Sequence, residues 1–183
     1  MLILGIDPGT ATTGWGVLKV DGANGRTKFI ARNFGIIVTD KEREAQYRLL
    51  SLKEGISKLI AEYKPDVMSV EQIFFGVNHR TAIAVGQAIG AIYLAAAEKH
   101  LPIFGYTGLT MKLMVGGSGR ADKEQVQKGV LKFLGVRKLP SVKSQAGKEY
   151  FRFRDDAFDA LALALCHHFK TAGLDTGAKI KPK

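Results

Sequence analysis

Cysteine is almost missing: Cys166 stands alone in 183 residues. A lone cysteine forms no internal disulfide, which excludes a disulfide-stapled scaffold and fits a reducing, cytoplasmic setting. No unbroken apolar run reaches the ~20 residues of a membrane span. The longest, Ala82 to Ala97, is interrupted by Gln87 and rich in Gly and Ala. It reads as a helix buried in a core or a subunit interface, where Gly86 and Gly90 would let a partner approach closely. No basic segment precedes the short "LILGI" opening, so no secretory signal is expected. Internal repeats are absent as well.

Acidic residues are also scarce, 17 against 27 Lys and Arg, for a net charge of +10. The excess is uneven. Residues 110–154 hold eleven basic side chains against Asp122, Glu124 and Glu149, which is +8 of the total. Scattered positive charge only solubilises a surface. Clustered charge points to a polyanion, nucleic acid first.

Length and pattern favour one domain over residues 1–169 and a disordered basic tail over 170–183. "LILGI", "TTGWGVLKV" and residues 28–38 read as strands, the last two joined by the hairpin signal "DGANG". Asp40 reads as the N-cap of a helix that runs to Tyr63. "VMSVEQ" and "LPIFGYT" read as a fourth and a fifth strand, with a long helix over 79–99 between them. Helices over 107–115, 122–134 and 154–169 follow. Residues 135–152 have no period and read as a loop. The expected fold is α/β: a five-stranded mixed sheet, an antiparallel meander plus two parallel strands, flanked by helices.

The few acids sit in unusual places. Asp7 ends the first buried strand, in "GIDPGT", and Glu71 ends the fourth, in "SVEQ". If those strands are parallel neighbours, both carboxylates emerge at the carboxyl edge, where open α/β sheets build sites. The last helix adds Asp155, Asp156 and Asp159 in "DDAFD". Asp156 and Asp159 are spaced i, i+3, Asp155 and Asp159 i, i+4, so either pair shares a face. First-turn aspartates often serve only the helix end. A cluster of carboxylates, however, repels itself unless cations neutralise it. All-oxygen ligands suit Mg²⁺ or Mn²⁺, and two such ions can drive phosphodiester cleavage.

Other residues divide between core and function. Of Phe74 and Phe75, one packs and the other can stack on an unpaired base, an interaction worth ~1–3 kcal/mol. Arg152 and Arg154 belong to the basic segment and are candidate DNA contacts. The four histidines lack ligand spacing and read as surface or satisfied groups; Cys166 reads as a small buried apolar residue.

"GIDPGTATTGWGV", "SVEQIFFGVN", "GQAIGAIYLAAA" and "DDAFDALALALCHH" resemble, in order, the motifs of the RuvC family of Holliday junction resolvases. The resemblance runs from Met1 to about His168. It implies a ribonuclease H-like fold, a homodimer, and Mg²⁺-dependent symmetric cutting of four-way DNA junctions in bacterial recombination and repair. It implies contact with the branch-migration proteins RuvA and RuvB. By position, Asp7, Glu71, Asp156 and Asp159 match the metal-binding catalytic acids. Lys112 and Lys123 match basic positions near the site, and Phe74 matches an aromatic that stacks at the junction. The chain departs from the family in a longer, more basic loop before the last helix and in the extra acid Asp155. An RNA-processing nuclease of the same fold is the competing reading. An ATP-binding module of the actin or sugar-kinase type needs two lobes, and 183 residues with one acidic turn are too few.

Overall fold

The computed structural model describes residues 1–23, 26–72, 79–140, 142–144, 149–150 and 154–174. Its elements are β1 (Leu2–Asp7), β2 (Thr12–Ala23), β3 (Arg26–Val38), α1 (Ala45–Tyr63), β4 (Val67–Gln72), α2 (His79–Ala97), β5 (Ile103–Thr107), α3 (Gly108–Gly116), α4 (Lys123–Leu134), β6 (Val142–Ser144), β7 (Glu149–Tyr150) and α5 (Arg154–Thr171). The five expected strands lie in the order β5-β4-β1-β2-β3. β1, β2 and β3 form the antiparallel meander, and β4 and β5 add to β1 in parallel.

Three local expectations change. Residues 135–152 are not all loop. β6 pairs in parallel with β3 through Gly35↔Lys143 and Ile36↔Ser144, and β7 pairs antiparallel with β6, so the sheet has seven strands. Strands of three and two residues are too short to show a period. Asp40 does not cap α1. Its carboxylate accepts from Glu42 N at 3.0 Å and its carbonyl from Arg43 N at 3.2 Å, a local turn that uses up the side chain. The helix starts five residues later, with Glu44 at the N-cap and no side-chain capping bond there. At the other end α5 runs to Thr171, and Leu174 packs on the core. Residues 175–183 of the expected tail lie outside the described residues.

Strand alternation sorts the core into two layers. Leu4 and Ile6 of β1, Val17 of β2, and Met68 and Val70 of β4 face α1 and α2. Ile3, Leu18, Phe29 and Val67 face α5, which is covered in turn by α3 and α4. Ala160 to Cys166 are all fully buried, so α5 is a core helix with only its two ends near a surface. Leu161, Leu163, Leu165 and Phe169 each contribute ~1.5–3 kcal/mol by burial.

Two glycines set how close α5 lies to the sheet. A Cβ at Gly5 would sit 1.9 Å from the carbonyl oxygen of Ala160, and one at Gly14 would sit 2.1 Å from that of Asp156. Any side chain at either position pushes the helix outward. Ser69 Oγ, buried on β4, adds a tether by donating to the Leu163 carbonyl at 2.8 Å.

Candidate active site

The strand register brings the first two acids together. Ile6 is the parallel partner of Val70, so Asp7 and Glu71 leave adjacent strands at the same edge. Asp7 also pairs with Gly14, the glycine against which Asp156 rests. The first turn of α5 is therefore seated beside Asp7, and Asp159 follows one turn on. Glu71 in turn needs Gly108, the first residue of α3: a Cβ there would lie 2.7 Å from Glu71 Oε1.

The electrostatics bind these acids into one unit. Burial pushes the Asp7 carboxyl up from its ordinary 3.8 to about 9, helped by the charge of Glu71, a hydrogen bond shared with it, and the charges of Asp159 and Asp156. Asp159 is pushed up to about 6, first by burial and then by Glu71, while Lys123 pulls the other way. Asp156 is also raised by burial and opposed by Lys123. Among the described residues, no three carboxylate, histidine or cysteine groups converge tightly enough to hold an ion as they stand. The donor chemistry nevertheless fits a hard divalent cation: four carboxylates with surplus negative charge and, among the described side chains, no thiol or imidazole in the group.

Lys123 is the basic residue tied to this unit. Asp122 and Gln125 form a reciprocal capping box at the start of α4, with bonds of 2.8 and 2.9 Å. That box fixes Lys123 at the first helical position. Its ammonium lies 3.5 Å from Asp155 Oδ2, while Asp155 Oδ1 accepts from Gln127 Nε2 at 2.8 Å. Asp155 thus faces α4, away from Asp7. Lys112 is one helical turn beyond Gly108, on the side of α3 that meets Glu71. Phe74 and Arg152 lie outside the described residues, as does the side chain of Arg154.

The profile of the family described as "Crossover junction endodeoxyribonuclease RuvC" matches residues 3–167. The chain belongs to the RuvC family. A relative of that name from Natranaerobius thermophilus is 42% identical over 167 residues, covering 91% of this chain and 94% of its own. The solved Thermus thermophilus RuvC superposes with a TM-score of 0.79 at 29% identity, over 94% of this chain and 97% of that one. The same protein "in complex with Holliday junction substrate" gives 0.78 at 27%, over 94% and 96%. The ribonuclease H-like sheet expected for a RuvC protein is the sheet observed.

Sequence reasoning missed the support of the RuvC "DPGT" turn. Thr13 Oγ1 donates to the Gly9 carbonyl at 3.3 Å, and Thr39 Oγ1 donates to the Thr10 carbonyl at 3.1 Å. Arg48 of α1 reaches the same Thr10 carbonyl. An arginine on a half-exposed helix face carries no sequence signal of such a role. Among the histidines, His167 is satisfied by Tyr106 Oη at 2.9 Å. His168 departs from expectation: it is half-buried against Phe29, and its Nδ1 has no hydrogen-bond partner. Cys166 is buried, as expected.

Proposed function

We propose that this chain is a Mg²⁺-dependent endonuclease that resolves four-way DNA junctions by paired, symmetric phosphodiester hydrolysis in the bacterial cytoplasm. One observation carries the reading: Asp7, Glu71, Asp156 and Asp159 share one field of mutually repelling charge at the sheet edge, in a chain of the RuvC family. These four acids would hold the metal, two Mg²⁺ ions per site, with Mn²⁺ able to substitute. Bound there, the ions supply an activated water and stabilise the leaving oxygen. Asp7 and Glu71 orient the site from the rigid sheet, and Asp156 and Asp159 close it from α5. Lys123, mostly exposed, can exchange Asp155 for a phosphate oxygen. Lys112, Arg152 and Arg154 extend the contact along the backbone, and Phe74 stacks on a base at the branch point.

The test is a labelled four-way junction set beside a duplex and a structured RNA, each with Mg²⁺ or with chelator. Symmetric nicks in the junction alone, and only with metal, are the expected result. Preferential cutting of the RNA would move the assignment to an RNA-processing nuclease.

A junction has approximate two-fold symmetry, and a C2 homodimer presents two sites to it. α2 offers the pairing face. Ile83 is 71% and Leu94 56% exposed. Gly86 and Gly90 lie between them on the same side of the helix, with open space where a Cβ would be. Ala95, by contrast, belongs to the chain's own core. This stripe is proposed to meet a second copy, where the two glycines let the helices approach closely. Sedimentation at micromolar concentration is expected to give a dimer, and Gly90→Leu a monomer. A monomeric parent protein, even on junction DNA, would overturn the pairing. RuvA and RuvB are the proposed partners in branch migration.

A further inference from the structure

We propose that Arg48 is a positioning residue for junction cleavage, holding, from the face of the sheet opposite α5, the turn that begins immediately after Asp7. The proposal rests on Asp7 being a metal-binding acid.

The turn that follows Asp7 has no regular structure of its own, and its position bears on how the end of β1 is held. Residues 8–11 leave the strand at Asp7 and re-enter the sheet at Thr12. Their free carbonyls are held from three elements. From β2, Thr13, almost wholly buried, bonds Gly9. From the end of β3, Thr39, also buried, donates to Thr10 O, and its backbone N–H donates to Ala11 O at 2.9 Å. From α1, the Arg48 guanidinium donates through Nη2 to Thr10 O. It also donates through Nε and Nη2 to Thr39 Oγ1, both at 3.3 Å.

The pattern is closed. The Thr39 hydroxyl spends its one hydrogen on the turn and accepts from Arg48 with its lone pairs. Thr10 O receives two donors, its full capacity. Nη2 alone reaches both oxygens, and Nε adds a second bond to Thr39 Oγ1, a two-nitrogen grip that a lysine ammonium lacks.

Arg48 is free for this task. Among the described residues no carboxylate pairs with it. It lines a small cleft with Thr10, Thr39, Leu49 and Leu52, closed on the other side by Ala84 and Gln87 of α2. The cleft lies against the α1–α2 layer, so Arg48 acts on Asp7 through the backbone and does not itself touch the metal-binding acids. Displacing a reacting group by about 1 Å can lower a rate by ~100-fold. A turn that has lost one of its three anchors has that freedom.

The experiment compares the parent protein with Arg48→Ala, Arg48→Lys and a charge control, Arg43→Ala, which removes a neighbouring exposed cation that lies over the Tyr47 ring. Single-turnover cutting of a four-way junction is followed across a Mg²⁺ titration, with junction affinity measured in chelator. Arg48→Ala is expected to cut at least ~10-fold more slowly at saturating Mg²⁺. It should need more Mg²⁺ for half-maximal rate and bind the junction as the parent does. Arg48→Lys, which keeps the charge but not the two-nitrogen grip and secures the result if the alanine variant folds poorly, is expected to fall between. Arg43→Ala is expected to match the parent. Parental rates in both Arg48 variants would overturn the proposal. So would an unmoved Mg²⁺ midpoint, or a loss of affinity with the saturated rate intact, which would make Arg48 a DNA contact. A parent that cuts no junction under any condition would instead sink the proposed function.

Discussion

Asp7→Asn is expected to abolish junction cutting and, in chelator at pH 8, to raise the melting temperature. The two effects share one cause. The Asp7 carboxyl is pushed to about 9 by burial and by the neighbouring acids, so the folded protein holds a proton there that the unfolded chain, at 3.8, gives up. The stability from that proton is fully present below about pH 4 and is lost as pH rises toward 9. Asparagine fills the same space with no charge to lose. The stabilisation by Asp7→Asn should therefore grow between pH 5 and pH 8, to at least ~2 kcal/mol, seen as roughly 4–8 °C. Mg²⁺ should stabilise the parent at pH 8 and the variant much less. Junction binding in chelator should survive, since it draws on Lys and Arg. A variant that still cuts at near-parental rate, or one whose melting difference is flat with pH, would remove Asp7 from the proposed site.

The ranking of the acids in "DDAFD" follows from which way each one faces. Asp156→Asn and Asp159→Asn are each expected to lower cutting by orders of magnitude at saturating Mg²⁺. Asp155→Asn is expected to stay within about tenfold of the parent, or ~1.4 kcal/mol of barrier. Asp156 rests on Gly14, the cross-strand partner of Asp7, and Asp159 feels the charge of Glu71. Asp155 spends its carboxylate on Gln127 and Lys123. It lies inside the first turn of α5, which starts at Arg154, so it is not the cap. Its removal should lower stability only by the amount of an exposed ion pair, about 0.2–1 kcal/mol. Measured single-turnover rates with Asp155 essential and Asp156 dispensable would show the metal-binding pair to be the i, i+4 one.

What could be read from the sequence depended on how local its cause was. β1 and β4 were legible because each is a short apolar run ending in one acid, and parallel pairing then sets Asp7 beside Glu71. The motif resemblance singled out Asp156 over Asp155, and the close seat of Asp156 on Gly14 supplies a physical reason. Asp40 misled because an aspartate suits a tight turn as well as a helix cap, and only tertiary packing decides between them. β6 and β7 exist through pairing with the β3 edge, which no property of "VKS" or "EY" announces. Arg48 sits in an amphipathic helix where a solvated arginine would look the same. The reach of Lys123 to Asp156 and Asp159 depends on α4 meeting α5, a contact between distant segments.

The burial of α5 also governs when the enzyme comes into being. This helix is the last described element in chain order, yet it packs on β1, β2, β3, β4, β5, α3 and α4. Strands made early in synthesis therefore have nothing to cover one of their faces until residues beyond about 160 leave the ribosome. At ~5–20 residues per second the wait lasts several seconds, and long-range closure of this kind is slow in itself. Half of the proposed metal-binding set arrives with that closing helix. A nascent or prematurely terminated chain thus holds Asp7 and Glu71 without Asp156 and Asp159, and on the proposed assignment it is expected to have no cutting activity. The order in which the polypeptide is made would then keep unfinished copies from acting as nucleases on the chromosome.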